Sequence, residues 1–159
     1  MSAPDFAVPI DRRYFEDYTV GSAYEYGTIA VDETEAIAFA RAFDPQPIHV
    51  DPVAAAYGPF GGLIASGWHT AALMMRLFVD NYLSSVASLA SPGIDELRWL
   101  KPVRPGDTLR IRVTVTEAKR SRSKPDRGIV RTLIEVLNQR GEIVASMQAM
   151  NLLRRRPAP

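Results

Sequence analysis

The sequence predicts an α+β domain in which an antiparallel sheet curls around one long helix. Two observations carry this prediction. Residues 68–86 are apolar almost all round, which is typical of a helix that other elements enclose. Residues 94–153 instead show the period of β-strands joined by short connections, which favours antiparallel pairing with the helices on one side of the sheet. We expect one domain over residues 1–159, with an arm at residues 1–13 and a frayed tail at residues 154–159.

The first helix is predicted from its two ends. A strand at residues 24–30 comes first, and Asp32 then offers an N-cap, with Glu35 three residues later as in a capping box. The helix must stop near Phe43, because the next residue precedes Pro45 and a residue before proline avoids the helical conformation. The segment after it is predicted to be a loop.

The remaining elements follow from the apolar pattern. The long helix is predicted to begin near Ser66 or Gly67. Residues 109–116 alternate between apolar and polar side chains, as a strand with one wet face does, whereas residues 129–137 are apolar on both faces, as a central strand is. Two further strands are predicted at residues 94–100 and 142–153.

The composition argues against several classes of partner and chemistry. A formal net charge of +1 creates no strong field, so we expect neither nucleic acid nor membrane as a partner. The chain has no cysteine, which excludes disulfides, thiolate metal sites and a cysteine nucleophile, and fits a cytoplasmic location. The first residues lack the pattern of a signal peptide.

One short segment places a carboxylate and an imidazole five positions apart, at Asp44 and His49. Pro45 and Pro47 lie between them and restrict the backbone, which reduces the entropy lost in holding the two groups together. Fully extended, such a segment would span roughly 17 Å, so it must fold back if both groups are to hold one water. The alternative is structural, because an aspartate before proline is often a turn residue and a lone histidine is often a buried structural one.

Gly67, at the start of the predicted long helix, also has two interpretations. The first is that the backbone packs closely there and leaves no room for a side chain. The second is that the unsatisfied N–H groups and positive end of the helix attract a polarised oxygen, such as the carbonyl of a thioester that is becoming an enolate.

Asp44, His49 and Gly67 belong to a set of four segments that resemble a known family. These segments are Tyr14-Phe15-Glu16-Asp17-Tyr18-Thr19-Val20-Gly21, Asp44-Pro45-Gln46-Pro47-Ile48-His49-Val50-Asp51, Gly61-Gly62-Leu63-Ile64-Ala65-Ser66-Gly67-Trp68 and Trp99-Leu100-Lys101-Pro102-Val103-Arg104-Pro105-Gly106-Asp107. Together they resemble the MaoC-like dehydratases, a family that includes the R-specific enoyl-CoA hydratases. The resemblance covers nearly the whole chain, roughly residues 14 to 153.

The resemblance implies the hot-dog fold, in which an antiparallel sheet wraps one long helix, and a homodimer or higher homo-oligomer. It also implies reversible hydration of an enoyl-CoA, or a related acyl thioester, to a 3-hydroxyacyl thioester. Coenzyme A is then part of the substrate, and no metal or other cofactor is needed. In the family, an Asp and a His activate the catalytic water and a glycine N–H holds the thioester carbonyl. These roles carry over to Asp44, His49 and Gly67.

Two positions depart from the family's pattern. Gln46 stands where the family has Asn, and Ser66 stands where it usually has His. We expect Gln46 to support the loop or reshape the pocket, and Ser66 to affect which substrates are accepted. Trp68, the next residue after Gly67, could narrow the acyl channel or anchor the helix in the core.

Two other functions stay open at this point. A hot-dog acyl-CoA thioesterase would use a nearby acid and the same helix start, and would release free thiol. A non-catalytic acyl-thioester-binding subunit would bind without turnover. The basic stretch at residues 119–127 could meet the phosphates of CoA or form a solvated hairpin tip.

Overall fold

Five antiparallel strands form one sheet in the computed structural model, which describes residues 4–159. The order of strands across the sheet is β1-β3-β4-β5-β2, so that β1 and β2 are its edges. All four predicted strands of the second half are present, although β2 begins earlier than expected. The bounds are Ala23–Ala30 for β1, Ser88–Trp99 for β2, Thr108–Arg120 for β3, Arg127–Leu137 for β4 and Ile143–Arg154 for β5.

The long helix α4 (Gly67–Asn81) packs its buried side chains into the core beside the sheet. It begins where the sequence predicted and ends short of residue 86, because the chain turns at Tyr82 to enter β2. Its face with Phe78 is buried, whereas Met75 and Val79 are each 44% exposed. The prediction that this helix is enclosed on every side is therefore wrong for one face. No helix within residues 4–159 has the length and apolarity needed to cross a membrane.

Shorter helices connect β1 to α4. The first, α1 (Glu33–Phe43), ends where Pro45 required, and the Asp32 side chain accepts from the Glu35 N–H at 2.9 Å, which is one of the two bonds of a capping box. Two further short helices, α2 (Pro47–Val50) and α3 (Pro52–Ala56), lie where we predicted a loop. Each begins at a proline, and proline suits the first helical position because its fixed φ is already helical.

The inner face of the sheet supplies the apolar side chains that cover α4. On β3 these are Leu109, Ile111, Val113 and Val115, none of them more than 1% exposed. Burying each such side chain fully stabilises the fold by about 1.5–3 kcal/mol. The buried Thr132 hydroxyl of β4 is hydrogen-bonded to the Tyr82 hydroxyl at 2.9 Å, so this polar group is satisfied inside the core.

Both ends of the chain are held by contacts that the sequence did not reveal. Residues 4–13 of the predicted arm form no helix or strand, yet Phe6 is buried and stacks on Tyr24 at 4.7 Å. Residues 1–3 of the arm lie outside the described residues. At the other end, Arg155 and Arg156 make ion pairs with Glu16 and Asp17, and Arg154 is still part of β5, so the prediction of a frayed tail is wrong at these positions.

Arg13 closes the far end of α4. Its guanidinium donates to the carbonyls of Val8 at 2.6 Å, Asn81 at 2.6 Å and Tyr82 at 3.0 Å, and it lies 3.8 Å from the centre of the Phe6 ring. A cation suits this position, because the carbonyls at a helix C-terminus carry partial negative charge. Arg13 thus ties the arm to the central helix.

We expect Arg13→Met to lower the free energy of unfolding by about 2–4 kcal/mol, because buried carbonyls lose a charged donor. Urea denaturation followed by circular dichroism measures this change. Arg12→Met is the matched control, since Arg12 is exposed and should shift stability by less than about 0.5 kcal/mol. Equal effects of the two substitutions would contradict the assigned role.

Candidate active site

The chain reverses direction directly after α1 and brings a carboxylate to an imidazole. Asp44 caps the end of α1 through its N–H, and the Gln46 N–H then donates to the Asp44 carbonyl at 2.8 Å. Helix α2 completes the reversal, so that His49 Nε2 lies 3.4 Å from Asp44 Oδ2. This is the fold-back that a shared water requires, although the two atoms are farther apart than in an ordinary hydrogen bond.

A backbone carbonyl sets the orientation of the His49 ring. His49 Nδ1 lies 2.8 Å from the Ile64 carbonyl oxygen, and because a carbonyl can only accept, Nδ1 carries a proton. In the neutral imidazole, Nε2 is consequently an acceptor that faces Asp44. The Ile64 N–H donates in turn to the Ile48 carbonyl at 3.1 Å, which joins the segment before α4 to α2. The ring itself is buried.

Neutral donors satisfy both carboxylate oxygens of Asp44. The Gln46 side-chain amide donates to Oδ1 and the Ser66 hydroxyl donates to Oδ2, each at 2.7 Å. These bonds stabilise the ionised carboxylate and hold the pKa of Asp44 below its ordinary value, the bond from Gln46 contributing most and that from Ser66 next. Burial opposes this shift, and the charge of His49, when present, adds a smaller lowering of the pKa.

Ser66 connects this carboxylate to the start of α4. It is fully buried as the N-cap of the helix, and its hydroxyl oxygen accepts from the Trp68 N–H at 3.3 Å. It is not among the residues that line the cavity described below, so the structure places it in support of Asp44 rather than against a substrate. This position favours a supporting role for Ser66, and its effect on the range of accepted substrates stays a prediction.

Gly67 is constrained by a residue that the sequence analysis did not single out. A Cβ atom at Gly67 would lie only 2.3 Å from Cε2 of the Trp99 indole, so close packing requires glycine here. The Gly67 N–H makes no hydrogen bond within residues 4–159 and, as the first residue of α4, lies at its positive end. Both interpretations of this glycine are therefore compatible with one geometry. The only hint in the sequence was a large aromatic residue directly before the predicted end of a strand.

Asp44, His49 and Gly67 line one cavity of about 520 Å³. This volume lies within the usual range of small-molecule sites. Trp68 and Trp99 form part of its wall as an edge-to-face pair, with ring centres 5.1 Å apart. Trp68 is 54% exposed, so it is not the core anchor that we considered. The lining combines Asp44, Gln46, His49, Gly67, Thr70 and Lys101 with the apolar Phe60, Ile64, Ala65, Trp68, Trp99, Leu100, Pro102 and Val103.

No cluster of three or more potential metal ligands occurs in the described part of the chain. One other candidate feature, the basic stretch, lies apart from the cavity. The basic stretch at residues 119–127 includes the exposed connection between β3 and β4. None of the basic residues in this stretch lines the cavity. The solvated hairpin tip is the interpretation that this position favours.

Fold and site together define a hot-dog protein with a carboxylate–imidazole pair beside the first turn of its central helix. Residues 16–137 match the family described as the MaoC like domain. The chain belongs to this family, and the predicted family and hot-dog fold are thereby confirmed.

Three relatives illustrate the similarity. A MaoC-like dehydratase from Rhodospirillum rubrum superposes with a TM-score of 0.85 at 43% identity, covering 92% of this chain and 99% of that one. The R-hydratase PhaJ1 from Pseudomonas aeruginosa gives a TM-score of 0.69 at 28% identity, covering 90% and 86%. YdeM of Bacillus subtilis, itself uncharacterised, is 30% identical over 125 residues, covering 79% of this chain and 87% of its own. Two other curated relatives are longer, and the matched regions span 30% and 44% of them.

We expect Gln46→Met to raise the pKa of Asp44 toward its ordinary value, because the substitution removes the donor that contributes most to the lowering. The carboxylate would then take up its proton at a higher pH than in the unmodified protein. A titration of the Asp44 Cγ resonance by carbon NMR measures this shift without reference to any activity.

The matched control is Gln148→Met, which removes the same amide from β5, where it makes no hydrogen bond to Asp44. An Asp44 pKa that does not rise in Gln46→Met would show that this hydrogen bond does not stabilise the ionised form.

Proposed function

We propose that this protein catalyses the reversible addition of water to a trans-2-enoyl thioester, giving an R-3-hydroxyacyl thioester. The observation that carries the proposal is the placement of Asp44 and His49 across a 3.4 Å gap in the same cavity as the unpaired Gly67 N–H. Acid–base groups and a carbonyl-binding donor are the two requirements of hydration at a double bond conjugated to a thioester. The dehydratase and R-hydratase names of the relatives support the same class of reaction.

The hydrogen-bond roles of the pair explain how it would orient a water. Asp44 is an ionised acceptor, and His49 Nε2 in the neutral ring is a second acceptor. A water between them donates one hydrogen to each, which directs an oxygen lone pair away from both groups and toward C3 of the substrate. As the oxygen adds to C3, one member of the pair takes the water's proton, and the pair returns a proton to C2.

Gly67 would act at the other end of the reacting system. When the nucleophile adds to C3, negative charge develops on the thioester oxygen as the enolate forms. A backbone N–H at the start of a helix 15 residues long stabilises this charge without reorganising, because its direction is already fixed. The active-site carboxylate and this amide are joined through Ser66, so their separation does not depend on a mobile loop.

We expect Asp44→Asn to lower kcat for enoyl-CoA hydration by about 10³-fold, because the neutral amide can neither take the water's proton nor stabilise the imidazolium that forms if His49 takes it. The assay uses enoyl-CoAs of several chain lengths and branching patterns, and follows both the loss of enoyl absorbance and the release of free thiol. Asp51→Asn is the matched control: Asp51 caps α3 through the N–H groups of Val53 and Ala54, and asparagine caps equally well.

Each outcome of this assay separates one function from the others. Absorbance loss without thiol supports the hydratase, whereas thiol release identifies a thioesterase. Binding of every substrate without turnover identifies an acyl-binding subunit. Full activity in Asp44→Asn removes this carboxylate from the mechanism.

We also propose that the protein forms a homodimer through the outer side of β2. Within residues 4–159 this strand pairs only with β5, and it carries Ile94 at 51% exposure, with Leu100 at 52% just beyond its end. Pro92 and register shifts interrupt the regularity of β2. Contacts between apolar side chains, rather than one continuous hydrogen-bonded ladder, would therefore carry most of the association.

We expect Ile94→Lys to shift the protein toward monomer, because the substitution would place an unpaired charge in an apolar contact. Light scattering coupled to size-exclusion chromatography measures the mass in solution. Val20→Lys is the control, since Val20 is similarly exposed, at 56%, but precedes β1 at the opposite edge of the sheet. A dimer that survives Ile94→Lys unchanged excludes this surface.

A further inference from the structure

The Trp99 indole lies flat on the first residue of α4. The position of a Cβ atom at Gly67 would be 2.3 Å from Cε2, 2.4 Å from Nε1 and 2.6 Å from Cδ2 of Trp99. Three nearly equal distances to consecutive ring atoms mean that the glycine meets the face of the ring and not its edge. The indole N–H, which lies in the ring plane, is thus directed along the glycine surface rather than into it.

This contact limits the distance between two hydrogen-bond donors. The backbone N and Cβ of a residue are about 2.5 Å apart by standard geometry, so Gly67 N and Trp99 Nε1 cannot be more than about 4.9 Å apart. One oxygen can accept from two donors, each about 2.9 Å away, only if those donors lie within about 5.8 Å of each other. The two nitrogens satisfy this condition.

Neither donor is occupied within the part of the chain that the structure describes. Trp99 Nε1 and the Gly67 N–H take part in none of the hydrogen bonds within residues 4–159, and both residues line the same cavity as Asp44 and His49. Indole nitrogen is a donor only, so the group that completes it must be an acceptor. Trp99 is held in place by its contacts with Gly67 and Trp68, which lowers the entropy lost when it binds such a group.

We infer that Trp99 Nε1–H donates a second hydrogen bond to the thioester carbonyl oxygen that accepts from the Gly67 N–H. This inference rests on the proposed function and assigns Trp99 as a catalytic residue in it. Both donors meet the oxygen on which charge develops as water adds to C3, and each gains strength as that charge grows. A tryptophan that only formed a wall of the acyl pocket would act through the shape of the acyl chain instead.

The test replaces the N–H of Trp99 by sulfur and keeps the shape of the ring. The chain has two tryptophans, so the exchange is confined to Trp99 by an amber codon at this position, which keeps Trp68 in contact with it. A suppressor tRNA that inserts β-(3-benzothienyl)alanine at this codon gives the sulfur analogue, and the unmodified protein is its parent. We expect kcat for hydration to fall about 10²-fold, the usual effect of losing one oxyanion donor, with KM changed far less and the same loss for short and long acyl chains.

A second measurement reports on the carbonyl without any turnover. An enoyl thioester labelled with carbon-13 at its carbonyl is bound to both proteins in the Asp44→Asn background, and difference infrared spectroscopy gives the carbonyl frequency. Two donors lower this frequency more than one, so the sulfur analogue should move it toward the value of the free thioester.

The two readouts keep this inference distinct from the proposed function. Unchanged kcat and an unchanged carbonyl frequency overturn the role of Trp99 while leaving hydration intact. A loss confined to KM that varies with acyl length also overturns it, because that pattern indicates a pocket wall. If no enoyl thioester is hydrated at all, the proposed function fails, and the carbonyl frequency of the bound thioester still decides whether Trp99 is a donor.

Discussion

The hydrogen bond from Ser66 to Asp44 is the contact on which the site depends. Its donor is fully buried at the start of α4, and its acceptor belongs to the connection that leaves α1. Helix α4 is in turn held by the sheet through side chains such as Phe78 and by Arg13 at its other end. A carboxylate on a surface connection thereby acquires a fixed position relative to the helix N-terminus.

Much of the fold could be predicted from the sequence, because the buried apolar residues of a helix or strand recur at the period of that element. Alternation located β3, and the proline after Asp44 located the end of α1. The same reasoning missed α2 and α3, since proline signals both the end of one helix and the first residue of the next. The exposed face of α4 was also missed, because the type of an apolar residue does not show whether its side chain packs against the sheet or faces solvent.

The site was predictable only as far as neighbours along the chain determine it. Asp44 and His49 are close in sequence, and a fold-back between them was a necessary condition that could be stated in advance. Trp99 reaches Gly67 from the far edge of the sheet, and no spacing along the chain encodes that contact. The family resemblance identified Gly67 as a candidate residue, but it could not show that Trp99 packs against it.

The two departures from the family's motif fall on the two donors to one carboxylate. Gln46, with one methylene more than asparagine, donates to Oδ1, and Ser66 donates to Oδ2. Both donors are neutral, so neither can exchange a proton with Asp44 near neutral pH; they hold the carboxylate ionised instead. A carboxylate with a lowered pKa is a weaker base, so in the proposed mechanism the water's proton would pass to the imidazole, whose Nε2 faces Asp44 and makes no other contact of this kind within residues 4–159. On this view Asp44 serves mainly to orient the water and to stabilise the imidazolium that forms when His49 takes its proton.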